Sequence, residues 1–184
     1  MARYNIVCCI VLGLLCTFSC RTPGEKDKIN AVKAWLGKKV EFPENKVFTR
    51  FCKDTITELP CTNYIIVNYI DSVGCIGCKL QALEWKGFMD KLASVSSERV
   101  LLLFYIQAKE TKELMWMLRG DDFDYPICFD ESGTFRKTNA LPPDTVFGTF
   151  LLNADKEVVL IGSPIGNHGL EELYMETLGS QRTN

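Results

Sequence analysis

Histidine is almost absent from this sequence: the 184 residues hold one, His168. That excludes a histidine-rich metal site, and zinc, with its usual four ligands, would need the cysteines gathered around it. Positive charge is not in excess either. Lys and Arg total 21 against 23 Asp and Glu, a formal net charge of −2. With no basic surplus to neutralise phosphates, nucleic-acid binding has no electrostatic basis. Repeats, low-complexity segments and a series of membrane-length apolar runs are all missing, which excludes collagen-like, disordered and multi-pass membrane classes. The apolar share of 47% and charged share of 24% are those of an ordinary globular chain, and the length suits one domain. Cysteine is what the sequence has in plenty, with nine.

Three of the nine, Cys8, Cys9 and Cys16, lie in the opening stretch. Arg3 is its only charge, and an uncharged run follows from Tyr4 to Cys20. A positive start followed by an apolar run of this length reads as a secretory signal, short for a spanning helix of about 20 apolar residues. Its end, Thr17-Phe18-Ser19-Cys20 before the polar Arg21-Thr22-Pro23-Gly24, resembles a bacterial lipobox. That resemblance implies cleavage before Cys20 and lipidation of its thiol. An ordinary signal peptide and an uncleaved anchor are the alternatives. Cys52, Cys61, Cys75, Cys78 and Cys128 stay with the folded chain, in a compartment where disulfides persist.

Periodicity places the elements. A short helix is expected over residues 29–36, ended by Gly37. Two strands, 46–52 and 55–59, flank a Lys53-Asp54 turn. Residues 63–70 and 100–106 are continuous β-branched and apolar runs, hence strands buried on both faces. Trp85, Phe88, Met89 and Leu92 recur at helical spacing and predict one helix over 76–93. A second helix is expected over 109–118 with Gly120 at its end, and a strand over 125–129. Ser132 is placed to cap a short helix reaching residue 138. Strands 147–152 and 158–161 bracket an Asn153-Ala154-Asp155-Lys156 turn, and Asn167 is placed to cap a last helix carrying Leu170, Leu173, Tyr174 and Leu178. Buried strands alternating with helices predict an α/β fold, with a mostly parallel central sheet between two helical layers.

The chemistry concentrates in Asp71-Ser72-Val73-Gly74-Cys75-Ile76-Gly77-Cys78-Lys79. A Cys-x-x-Cys here follows a buried strand and opens a helix. Unpaired N–H groups and the dipole at a helix start favour a thiolate, and two intervening residues put the second sulfur one turn away. Cys75 is expected to be the exposed attacking thiol, and Cys78 the more buried resolving thiol. Lys79 adds a nearby positive charge. A purely structural disulfide is the plain alternative. Haem attachment would need histidine where Lys79 stands.

Strand, Cys-x-x-Cys and helix together resemble the thioredoxin superfamily. Tyr125-Pro126-Ile127-Cys128-Phe129-Asp130-Glu131-Ser132-Gly133 resembles a segment of TlpA-type and peroxiredoxin-like proteins, and the 149–159 hairpin resembles theirs. The phrase over 69–81, with Trp85-Lys86, is similar to thioredoxin-like lipoproteins of Bacteroidetes. The resemblance spans residues 63–178. It implies a thioredoxin-like three-layer sandwich, a central mixed sheet with helices on both faces, plus an N-terminal β-hairpin. The chain then divides into a signal peptide over 1–19, a lipidated tether over 20–28, a helix and hairpin extension over 29–62 and the thioredoxin-like domain over 63–184. The implied activity is a membrane-anchored, periplasm-facing thiol–disulfide oxidoreductase acting on protein thiols or disulfides of the envelope, leaning towards reduction and needing no cofactor or metal. A redox-inactive binding module is the alternative. Peroxide reduction is weaker, since Ser72-Val73-Gly74 lacks the proline and threonine of peroxiredoxins.

Departures from the pattern are specific. Gly74 replaces the usual aromatic, and Ile76-Gly77 holds no proline. Gly148, beside Thr149, stands where the family has a cis-proline facing the disulfide, and Pro142 and Pro143 come too early. Asp71 is the nearest candidate for the family's buried acid, though a residue there more often caps the following turn. Cys52 and Cys61 form a structural disulfide across the hairpin or stay unpaired. Cys128 reads as a buried, inert thiol.

Overall fold

The computed structural model describes residues 24–44, 46–51, 54–110, 112–142 and 145–179. The signal segment, Cys20, most of the tether, Cys52, Lys53 and Pro143 lie outside them. The chain forms two compact units, Met1–Ala34 and Trp35–Asn184. The first carries most of helix α1 (Glu25–Trp35).

In the second unit a hairpin comes first, β1 (Phe48–Arg50) and β2 (Asp54–Ile56), shorter than expected. Then follow β3 (Tyr64–Ile70), helices α2 (Ile76–Leu80) and α3 (Ala82–Val95), β4 (Val100–Ile106) and helix α4 (Lys112–Gly120). Next are β5 (Ile127–Phe129), helix α5 (Thr134–Asn139), a 3-10 turn over Thr145–Gly148, β6 (Thr149–Asn153), β7 (Val158–Ile161) and helix α6 (His168–Gly179). The seven strands form one mixed sheet in the order β2-β1-β5-β4-β3-β6-β7. β3, β4 and β5 run parallel, and β6, β7 and the hairpin add antiparallel strands.

The two runs without alternation, β3 and β4, pair over their full length at the centre, from Tyr64 with Val100 to Ile70 with Ile106. Both faces are covered, which is why both runs are apolar throughout. On one face Ile66, Ile70, Phe104 and Leu151 pack against Trp85 and Phe88 of α3, Leu118 of α4 and Tyr174 of α6. On the other, Tyr105 stacks on Phe135 of α5 at 4.2 Å and meets Phe48 edge-on, and Phe150 meets Trp35 at 5.3 Å. The expected three layers are present.

Three local expectations are corrected. The helix anticipated over 76–93 is two helices, broken at Gln81, whose φ of +47° is left-handed. Leu80 and Trp85 are both buried, yet five residues apart they stand about 140° out of phase on a straight helix. A left-handed residue between them turns both inward. Ser132 does not cap α5. Asp130, fully buried, takes that role by accepting the Phe135 N–H at 2.7 Å, with Lys46 Nζ at 2.8 Å on its other oxygen. Burial raises the Asp130 pKa, but the Lys46 hydrogen bond and the backbone N–H groups outweigh it and the net direction is down. The strand expected from residue 147 begins at Thr149, since its last pairing to β3 is Asn68 with Thr149. Asn167 does cap α6, accepting the Leu170 N–H.

Candidate functional site

The site lies at the carboxyl end of β3, in the middle of the sheet. Asp71 follows the strand, and its carboxylate accepts the Val73 N–H at 3.2 Å. Gly74 has φ of +77°, a conformation that side chains rarely adopt, so the family's aromatic at this place would be strained in the turn made here. Cys75 is the N-cap of α2, and its Sγ accepts the Cys78 N–H at 3.1 Å. Cys75 and Cys78 are joined in a disulfide with Cα atoms 5.3 Å apart. Both cysteines are exposed.

Lys79 does not stand free beside the sulfurs. Its ammonium is ion-paired to Asp71 and also donates to the Val73 carbonyl. Desolvation pushes the Asp71 pKa up, yet the Lys79 and Val73 hydrogen bonds outweigh it and the net direction is down. At neutral pH Asp71 is a paired carboxylate that closes the turn, with no proton to give.

A cleft of about 340 Å³ opens next to the disulfide. Every groove residue expected from the sequence lines it: Asp71, Lys79, Gly148 and Thr149, together with Cys78. Thr149 is buried, and its hydroxyl donates to Asn68 Oδ1 at 3.2 Å. Gly148 presses on β3, where an added Cβ would stand 2.8 Å from the Tyr69 carbonyl oxygen. Any larger residue on this backbone path collides with main chain, so glycine here is a packing requirement. No cis peptide bond occurs among the described residues.

Sequence reasoning missed Asn68, Tyr69, Gln81 and Arg136, which also line the cleft. Asn68 had a signal, being the one amide in an otherwise apolar and aromatic strand. Arg136 had none, because α5 reaches the cleft only through the fold. The Tyr69 hydroxyl donates to Gln107 at 2.7 Å; burial raises its pKa, against a smaller lowering pull from Arg136.

The other cysteines are elsewhere. Cys61 is an exposed free thiol, and Cys52, the other member of the expected pair, lies outside the described residues. Cys128 is buried, and burial pushes its thiol up to about 11. His168 pairs with Glu172 on the surface. Among the described residues no cluster of three metal-ligating side chains occurs, and no helix is long and apolar enough to cross a membrane.

No protein-family model and no curated protein matches the sequence. Solved structures do match in shape. Peroxidoxin BcpB from Mycobacterium tuberculosis aligns with a TM-score of 0.56 at 16% identity, over 80% of this chain and 98% of that one. Peroxiredoxin Q of Xanthomonas campestris gives 0.53 at 13%, over 77% and 96%. A domain of a possible thiol-disulfide isomerase from Cytophaga hutchinsonii gives 0.52 at 17%, over 81% and 97%. Identities this low carry the fold and nothing finer, and together with the mixed seven-stranded sheet they establish that this chain has the thioredoxin-like fold shared by thiol–disulfide oxidoreductases and peroxiredoxins.

Proposed function

We propose that the chain is a thiol–disulfide oxidoreductase working through Cys75 and Cys78. The observation that carries this reading is the exposed disulfide at the rim of a cleft, with the Cys78 N–H aimed at Cys75 Sγ. In the reduced form that N–H favours negative charge on Cys75, making it the stronger thiolate and the better leaving group. The Cys75 thiolate attacks a client disulfide, forming a mixed disulfide and expelling one client thiolate. Cys78, one turn on, attacks Cys75 Sγ, re-forms the 75–78 bond and releases the second client thiol. Two electrons pass from the protein to the client, and the reverse sequence oxidises a client. Resemblance to TlpA-type proteins favours reduction of protein disulfides.

The test is equilibration in thiol buffers of graded potential, with alkylation and mass counting at each point. A reversible two-electron transition of the 75–78 pair between about −300 and −120 mV, lost in Cys75→Ser, is expected. A pair that stays oxidised far below that window overturns the reading. A redox-inactive binding module then takes its place, a reading supported by glycine at position 148.

The second half of the proposal is location: cleavage after residue 19, lipidation at Cys20 and a periplasm-facing domain acting on envelope proteins. Its support is the lipobox-like sequence before Cys20. Metabolic labelling with palmitate should mark the wild-type chain and not Cys20→Ala. Equal labelling of both, or of neither, overturns it.

A further inference from the structure

The cleft beside the disulfide has an unbalanced set of charges and donors. Its lining holds two cations, Lys79 and Arg136, and one carboxylate, Asp71. Asp71 is taken by Lys79 and by the Val73 N–H. Arg136 has no carboxylate ion pair among the described residues. It donates to the Pro142 carbonyl at 3.1 Å and is also hydrogen-bonded to the Tyr69 hydroxyl, which holds the guanidinium in the cleft wall and leaves the rest of its five N–H groups available. The guanidinium is near enough to Asp71 and to the Tyr69 hydroxyl to favour their charged forms. Asn68 adds a second donor: its oxygen is used by Thr149, and its amide N–H₂ has no partner among the described residues. A planar, half-buried guanidinium suits a carboxylate, and the amide of Asn68 lines the same cleft from the other face of β3.

Size and position narrow the ligand further. At about 340 Å³ the cleft is at the lower end of small-molecule sites, which run from about 300 to 1,000 Å³. Of the two cysteines, Cys78 lines the cleft and Cys75 does not.

We propose that the cleft binds a small carboxylate-bearing thiol, held by Arg136 and Asn68, which supplies electrons to the pair by attack at Cys78. This rests on the redox reading above and adds the class of reductant. The bound thiol loses its proton to solvent, and its thiolate attacks Cys78 Sγ. A Cys78 mixed disulfide forms, the 75–78 bond breaks, and the leaving Cys75 thiolate keeps the Cys78 N–H. A second thiolate of the same kind attacks the sulfur of the attached small thiol. That frees Cys78 and releases the symmetrical small disulfide. Two small thiols are oxidised by two electrons, and the protein disulfide is reduced to a dithiol.

The experiment measures how fast the oxidised full chain is reduced by three thiols of different charge: 3-mercaptopropionate, 2-mercaptoethanol and cysteamine. Each rate is divided by the same thiol's rate with bis(2-hydroxyethyl) disulfide, which removes intrinsic reactivity. The expected result is a normalised advantage of about ten- to a hundredfold for mercaptopropionate over mercaptoethanol, the size of a charged hydrogen bond, with cysteamine slowest. Arg136→Gln should abolish that advantage, and Arg136→Lys should retain part of it. Equal normalised rates in the wild type, or an advantage undiminished in Arg136→Gln, overturn the inference and leave the redox reading standing. Failure of all three thiols to open the disulfide overturns the redox reading, and this inference with it.

Discussion

Gly148 is the residue where scaffold and site constrain each other most tightly. A Cβ added to it would stand 2.8 Å from the Tyr69 carbonyl oxygen, so a methyl group has nowhere to go without moving β3 or β6. Gly148→Ala should therefore lower the unfolding free energy by about 1–3 kcal/mol in urea titrations. Gly87, in the middle of α3 with open space around it, is the contrast: Gly87→Ala should raise it by about 0.5–1 kcal/mol. A stable Gly148→Ala protein would mean that the close approach to Tyr69 is not maintained in solution. At this scale, Cys75 and Cys78 were legible because their chemistry is local, a strand end and a helix start adjacent in sequence. Arg136 was not, since nothing near it in the chain records that α5 faces the end of β3. Asn68 stood between: its polarity in an apolar strand marked it as unusual, but only the Thr149 contact explains it.

At the scale of elements, Asp130 is the tie between distant pieces. It fastens the segment before β1, through Lys46, to the start of α5. Removing the charge leaves Lys46 without its ion-pair partner, with only the Thr134 hydroxyl at 3.3 Å, and Asp130→Asn should cost at the low end of about 3–5 kcal/mol. The pH dependence follows from the direction of the shift. The Asp130 pKa is lower in the folded state than the ordinary 3.8, so its stabilisation is present above that value and is lost as the pH falls through the folded pKa. Urea midpoints measured from pH 6 down to pH 2 should fall more steeply in the wild type than in Asp130→Asn. Parallel profiles would remove Asp130 as the cause. Most elements were readable from period and composition, β3 and β4 above all, because burial on both faces leaves an unbroken apolar run. The break at Gln81 was not, since it is imposed by the need to bury Leu80 and Trp85 together, a demand of the sheet and not of the helix.

For the molecule as a whole, the sheet's edges are guarded. Val40 and Lys39 run along the β6–β7 turn, and the β2 edge is only three residues long and carries Asp54. Short charged edges of this kind resist pairing with another chain. Beyond the carboxyl end of the central strand β3, at the start of α2, lies the Cys75–Cys78 bond, which bridges residues only three apart and joins no two layers. In the chain-entropy picture such a small ring contributes about 2 kcal/mol, against more than 4 for a ring of 100 residues. Urea unfolding of the oxidised and dithiothreitol-reduced forms should thus differ by about 2 kcal/mol or less. A larger gap would mean that the bond supports the fold.

The consequence of so small a ring is that opening it cuts no link between layers. The dithiol form is therefore expected to keep the ladders and layer contacts of the oxidised one, and a cycle of reduction and reoxidation should need no refolding step.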